Sequence, residues 1–489
     1  MSKNIVIYSD GTGQAGGLRP EQRLSNVYKL YRASRGGPDS VIKPVDQIAY
    51  YDPGLGSGET SFWSTPITAI RKLVSSGLGS GISENIADCY EVILKHYEQG
   101  DRIYLFGFSR GAYTARCVAN VMNVCGIPVH DSDKTPLPRY GARLRQIAEE
   151  AVFKVYEHGA SKNRKLYEEE REEQARRFRA KYGCEGKGPD GEAQGNVQPY
   201  FIGVFDTVAA LGVSGLRKVA VYVITALLVS IASSGIAGLL SYFFGFGFLK
   251  SFIWSAVAIS ALIGFKIIKS RFRYIGHYPK KYRMSWHFKS WGLANYDRYL
   301  DNMVGYARHA ISIDETRKSF PQVPWAKQVD MDRNAGRNPP WLRQMWFAGN
   351  HSDIGGSYAE DESRLSDIAL DWMIEQVRET EFPVVFNDAQ LNRFPYPNGM
   401  QHCEVKGMLE SWPTWVPKFM RFTWKEKTRD GSGAKLHESV LERFKAECIC
   451  DAGRTKPYRP EALRANVKVK HLYEPQVEAS TTTTAPELK

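Results

Sequence analysis

The sequence predicts an α/β fold: a mostly parallel sheet flanked by helices, with an inserted two-helix transmembrane hairpin. Three observations lead there. Short β-branched and aromatic runs bounded by turn residues recur along the chain. A helical pattern stands between two of them, as a parallel sheet requires of its crossovers. One uninterrupted apolar stretch in the middle is far longer than a core strand.

The first strand is "NIVIYS" (4–9); its apolar run is too short for a secretory leader. "QIAYY" (47–51) and "RIYLFGF" (102–108) follow, and between them "SENIADCYEVILKHYEQG" (83–100) has helical periodicity with a Ser at its start and a Gly at its end. "YFIGVFD" (200–206) and "QMWFAGN" (344–350) complete the expected sheet. Residues 161–182 are too polar for a core and read as a solvated helix inserted between strands. The tail from about 475, with its "STTTTAP", reads as disordered.

The apolar stretch covers 219–265, and its only charge is Lys250. A span needs about 20 apolar residues, so this run supplies two, with a Gly/Phe-rich turn near 243–249. Small residues, Ser233, Ser234, Gly235 and Gly238, would let the helices approach closely. Arg217 and Lys218 precede it; Lys266, Lys269, Arg271, Arg273, Lys280 and Lys281 follow. Positive flanks stay cytoplasmic, so both ends are expected inside and the number of spans even. A net charge of +12 asks for an anionic partner. No zinc-finger, recognition-helix or glycine-aromatic RNA pattern is present, so nucleic acid is set aside in favour of anionic head groups, each basic residue near the surface being worth about 1 kcal/mol. The seven cysteines form no disulfide framework, and Cys448 and Cys450 make only a lone C-x-C. The reading therefore includes no metal and no cofactor.

"GFSRG" (107–111) has the form G-x-S-x-G and the context it needs, a strand before and a helix pattern after. Such a turn pushes the serine oxygen out at the carboxyl end of a sheet, which makes Ser109 the candidate nucleophile of an α/β-hydrolase-like fold. The chain order then requires an acid and a histidine downstream. Asp206 ends "YFIGVFD", and His351 directly follows a strand in "QMWFAGNHSDIGG", at the start of a glycine-rich loop. His309 is the rival base, placed by its periodicity in a helix, with a core role expected to be its main one. Asp353 and Asp314 are fallback acids. The amide of Arg110, with that of Gly11 or Thr12 in "SDGTGQ" (9–14), would hold the oxyanion and the substrate. Asp10 is a further alternative catalytic group: "DGTG" is similar to the phosphatase signature D-x-D-G-T, but Tyr8 stands where its nucleophilic Asp would be.

"SDGTGQ", "GFSRGAYTAR", "FDTVAALG", "HAISIDETRKSF" and "QMWFAGNHSDIGG" together, over about residues 4–360, resemble the α/β-hydrolase domains related to Tle1-type phospholipase effectors of type VI secretion. The resemblance implies hydrolysis of phospholipid esters and supports Ser109, Asp206 and His351 as a triad. The inserted hairpin departs from a delivered toxin and favours a resident enzyme. The expectation is thus a membrane-anchored serine hydrolase of phospholipid esters, with a hydrolase on a tethered soluble ester or thioester, or a non-catalytic scaffold, as alternatives. Its organisation would be a first catalytic part (1–215, charged insertion about 160–190), the hairpin (216–270), a second catalytic part (271–430) and a polar extension (431–489). Within the second part, "ESWPTWVPKFMRFTWKEK" (410–427) reads as an interfacial or an ordinary surface segment. Partners would be the phospholipid membrane and, through the hairpin, possible further copies of the chain as a homo-oligomer.

Overall fold

The computed structural model describes residues 2–14, 16–17, 23–38, 40–54, 80–159, 166–208, 216–277, 284–288 and 299–473. Its centre is a six-stranded parallel sheet. The strands are β1 (Asn4–Ser9), β2 (Gln47–Asp52), β3 (Arg102–Phe108), β4 (Phe201–Phe205), β5 (Tyr306–Ser312) and β6 (Leu342–Phe347), in the spatial order β6-β5-β4-β3-β1-β2. Both faces are covered, which is why β1, β3 and β4 read as near-continuous apolar runs rather than alternating ones. Ile5, Ile7 and Leu105 pack on one side with helices α2 (Ser80–His96) and α3 (Arg110–Cys125). Val6, Tyr8 and Phe106 pack on the other with α1 (Asn26–Ser34) and α8 (Arg364–Arg378), the last of the helices labelled here.

The strand order reverses between β1 and β3. At such a switch point the loops leaving the two strands diverge to opposite faces and leave a crevice at the carboxyl edge of the sheet. The loop 10–14 and Ser109 meet there.

Three expectations change. "YARHAIS" is not helical but is the buried strand β5, paired on both sides between β4 and β6. His351 opens not a loop but a short helix, α7 (His351–Gly355), capped by Asn350. The polar insertion, by contrast, is helical as expected, as α4 (Glu168–Tyr182), and residues 161–165 lie outside the described residues. Within 431–473, Leu436, Val440, Phe444 and Leu463 form a third apolar cluster with Ile311 of β5 and Trp346 of the edge strand β6. The tail beyond 473 and Lys280 and Lys281 also lie outside the described residues.

The central insertion forms helices α5 (Leu216–Phe244) and α6 (Phe248–Arg271), and within them 222–244 and 248–269 are long and apolar enough to cross a membrane. Their side chains are outward and bare: Trp254 is 72% exposed and Phe243 67%. Where the two helices meet, Ser233 and Ala237 are fully buried, and Ser255 Oγ donates to the Ser233 carbonyl at 3.4 Å. Their i, i+4 spacing puts them on one face. Ser234 and Gly235, expected at that contact, instead face outward.

The elbow itself depends on close approach. A Cβ on Gly111 would stand 2.0 Å from the Ser9 carbonyl oxygen, so α3 can pack on the end of β1 only with glycine there. Gly111→Ala should therefore cost about 1–3 kcal/mol, read as a lower urea midpoint with an unchanged slope. An unchanged midpoint would contradict this packing.

Candidate active site

Ser109 follows β3 and precedes α3 with φ +58° and ψ −119°, a conformation that a residue with a Cβ rarely adopts. Strain of this sort costs about 1–3 kcal/mol and persists only where the surroundings impose it. Its amide donates to the Phe205 carbonyl at 3.1 Å, and its carbonyl accepts from Val208, tying the turn to the end of β4. As the N-cap residue it makes no side-chain capping bond. The ordinary duty of a serine at this position is thus absent, and the hydroxyl is left for other chemistry.

Asp206, just past β4, is buried and has φ +37°. Its Oδ2 lies 2.6 Å from His351 Nδ1, and its Oδ1 accepts from the Ser312 amide at 3.0 Å. Arg429 closes on both oxygens, at 2.6 and 3.0 Å. Burial pushes the Asp206 carboxyl up, but the Arg429 guanidinium and the His351 hydrogen bond outweigh it and hold the group well below the usual carboxylate range. Asp206 is therefore ionised at neutral pH. A carboxylate can only accept, so Nδ1 of His351 carries the proton and a neutral ring has its lone pair on Nε2. That Nε2 is buried and has no hydrogen-bond partner among the described residues. The imidazole is stacked on Phe108, the residue before Ser109, with centroids 4.7 Å apart, and Phe320 meets its edge at 5.1 Å. The structure thus brings Asp206 and His351 into direct contact and lays the imidazole against the elbow. A serine-to-Nε2 hydrogen bond is not formed, as is common before a substrate is bound.

The other candidates sort by their partners. His309 is fully buried in β5; its Nε2 accepts from the Thr207 amide at 3.3 Å, and burial lowers it to about 3, so it is a neutral support for the Asp206 turn. Asp353 closes the α7 capping box and binds His402 at 2.7 Å, not His351. Asp314 accepts from the Gly349 amide and the Tyr458 hydroxyl. Asp10 is buried and accepts from Ser25, Tyr51 and the Gly11 amide; burial raises it to about 6. Gly11's amide is thereby spent on Asp10 at 2.6 Å, so of the two amides expected to face an oxyanion Thr12, exposed in the same turn, remains the candidate. Gly11 still abuts the elbow: a Cβ there would be 2.9 Å from the Phe108 ring and 3.4 Å from Ser109 Cβ. Arg110 opens α3, where the first amides have no intrahelical acceptor.

Arg429 had no sequence signal. It lies 223 residues from Asp206, in a segment without periodicity, and it also donates to the Ser312 and Phe320 carbonyls at 2.9 and 3.1 Å. Arg429→Met would strand a buried charge, so stability should fall by about 3–5 kcal/mol in urea denaturation; a loss under ~1 kcal/mol would contradict the assignment. The pH sign is fixed as well. Folded Asp206 binds its proton more weakly than unfolded Asp206, so its contribution is full above about pH 4 and is lost on acidification. The variant should flatten that acid limb.

Comparison with known proteins adds the family. The family described as "T6SS, Phospholipase effector Tle1-like, catalytic domain" matches residues 3–233 and 253–376. An uncharacterized Saccharomyces cerevisiae protein is 35% identical over 130 residues, which is 26% of this chain and 18% of that protein. Among solved structures, an uncharacterized Pseudomonas aeruginosa protein is similar at 17% identity and a TM-score of 0.34, covering 81% of this chain and 48% of that one. A Tle1 effector bound to the VgrG spike of the type 6 secretion system is similar at 16% and 0.29, covering 75% and 53%. The chain thus spans about half the length of these structures or less of the yeast relative. The family match covers all six strands of the sheet and both halves of the Asp206–His351 contact, and the chain belongs to the Tle1-like phospholipase effector catalytic-domain family.

Proposed function

We propose that the protein is a membrane-anchored serine hydrolase that cleaves carboxylic ester bonds of phospholipids through an acyl-enzyme on Ser109, in the manner of a phospholipase A. The observation that carries the reading is the buried Asp206–His351 pair, with an unpartnered Nε2 beside a strained serine elbow. In this mechanism His351 Nε2 takes the Ser109 proton as the oxygen attacks the acyl carbonyl. Negative charge develops on the carbonyl oxygen, facing the amide of Arg110 and that of Thr12 in the loop beside it. The intermediate collapses, and His351 returns the proton to the departing lipid oxygen. A water then attacks the acyl-enzyme with His351 again as base, releasing fatty acid and restoring Ser109. Asp206 stays ionised throughout and stabilises the imidazolium that forms twice per turnover.

Membrane anchoring is supported by the exposed apolar surfaces of α5 and α6 and by the basic residues at the end of α6, Lys266, Lys269 and Arg271. The halves before and after the hairpin share one sheet, which supports both flanks on one side of the bilayer, and the basic flanks favour the cytoplasmic side. The segment 410–427 adds exposed aromatic surface. Trp415 is 81% exposed and Phe419 88%, and Trp424 contacts Phe320, which contacts His351. An apolar edge thus runs from the base to the exterior, where acyl chains would enter.

Ser109→Ala should abolish both fluorophosphonate labelling and fatty-acid release from phospholipid vesicles, read by mass spectrometry. Labelling that persists would sink the nucleophile; turnover of short-chain esters with no release from any lipid would favour a tethered soluble-ester hydrolase. Single cysteines placed near 216 and 274 should label from the same side of sealed vesicles. Labelling from opposite sides would end the paired-span topology.

A further inference from the structure

A second cluster lies where the apolar hairpin returns to the catalytic domain. Immediately after α6, Phe272–Gly276 pairs antiparallel with Met284–Phe288. The ribbon is two-sided. Phe272, Tyr274, Met284, Trp286 and Phe288 are exposed on one face, while Arg273, Ile275 and His287 are buried on the other. The buried face meets His158, which follows the π-helical turn Glu150–Tyr156, and Glu170 in the first turns of α4. His158 Nε2 is 2.8 Å from Glu170 Oε2, and the two imidazoles meet edge to face with centroids 5.0 Å apart. One ligating atom from each of His158, Glu170 and His287 lies within 4.8 Å of the other two.

The surroundings of these groups are those of metal ligands. His287 Nε2 is 2.7 Å from the His158 carbonyl, and because that oxygen only accepts, Nε2 is the donor and a neutral ring carries its lone pair on Nδ1. The second oxygen of Glu170 accepts from Ser285 Oγ at 2.8 Å. Outer bonds of this kind orient metal ligands and fix their tautomers. Burial lowers the proton affinity of His158, Glu170 raises it and Arg273 lowers it; the net effect favours the neutral, ligating form. Arg273 is paired with Glu157 at 3.2 Å, so its charge is largely compensated. Arg171 is the other nearby cation.

We propose that His158, Glu170 and His287 bind one divalent transition ion of the zinc type, which pins the ribbon after the hairpin to the catalytic domain. Two imidazoles and a carboxylate are a zinc donor set that leaves a fourth position for water. Bonds of about 2.0–2.2 Å set such donors roughly 3.3–3.5 Å apart, so side-chain adjustments of about 1 Å close the site. The His158 Nε2 proton now shared with Glu170 must shift to Nδ1 as the ion binds, a change of tautomer that releases no proton, while protonation of either imidazole competes with the ion, so affinity falls on acidification. The ligands come from both sides of the insertion in sequence, which makes the ion a staple between the returning chain and the domain it re-enters.

The test uses the full chain in detergent. Stripped with chelator, exchanged into metal-free buffer and titrated with Zn²⁺, it should bind one equivalent and gain thermal stability. Co²⁺ in its place should give visible d–d absorption of a four-coordinate site. Glu170→Gln, nearly isosteric, should keep its near-ultraviolet circular dichroism, weaken zinc affinity at least tenfold and lose the zinc-dependent shift in Tm; His287→Ala should do the same. Zinc titrations indistinguishable between the wild type and Glu170→Gln, with no cobalt spectrum, would overturn the site and leave a hydrogen-bonded His158–Glu170 pair in its place.

Discussion

A dry, ionised carboxylate is the constraint on which the rest of this structure depends. Removing Asp206 from water is costly, and the cost is offset only because four donors converge on it: two from Arg429, the Ser312 amide and His351 Nδ1. These donors come from separate parts of the fold. Asp206 leaves β4, Ser312 ends β5, and His351 follows β6, so the pairing of three adjacent strands must be in register before they meet. Arg429 arrives from the C-terminal region, which is fixed by packing Leu436, Val440 and Leu463 against β5 and β6. The C-terminal cluster therefore helps to place the guanidinium that keeps Asp206 ionised.

The elbow meets that relay from the opposite direction. Close packing of α3 on β1 forces the chain through the strained conformation of Ser109, and the same turn presents Phe108 to the imidazole. Reversal of strand order between β1 and β3 opens the crevice into which the turn projects. Asp10 holds the facing loop by three hydrogen bonds, so the edge of the crevice is a braced backbone and not a free turn.

Much of this was legible in the sequence because it is local. "RIYLFGFSRGAYTAR" specifies strand, elbow and helix in one stretch, and Asp206 and His351 each stand just beyond an apolar run. What was not legible depends on partners distant in the chain. β5 was hidden because "YARHAIS" interrupts its apolar pattern with Arg308 and His309. Arg308 is tolerated inside only because it donates to the Ala307 and Pro340 carbonyls, a solution invisible to periodicity. Arg429 stands in an irregular segment where no spacing rule applies. Gly11 misled for a different reason: the glycine pattern indicates that backbone can approach a ligand, not whether its amide is already taken by the neighbouring Asp10.

The apolar insertion adds two exposed helices without entering the sheet, since it leaves after β4 and the chain returns before β5. The central claim is that Ser109 becomes acylated by a phospholipid and that Asp206 and His351 make this possible. Its most direct test is acid-quenched mass spectrometry of the full chain after brief mixing with phospholipid vesicles, followed by peptide mapping. The account predicts a fatty-acyl ester on the peptide containing Ser109, accumulating when deacylation is slowed and absent in His351→Gln. Lipid cleavage with no adduct at any quench time, or an adduct on another residue, would contradict it.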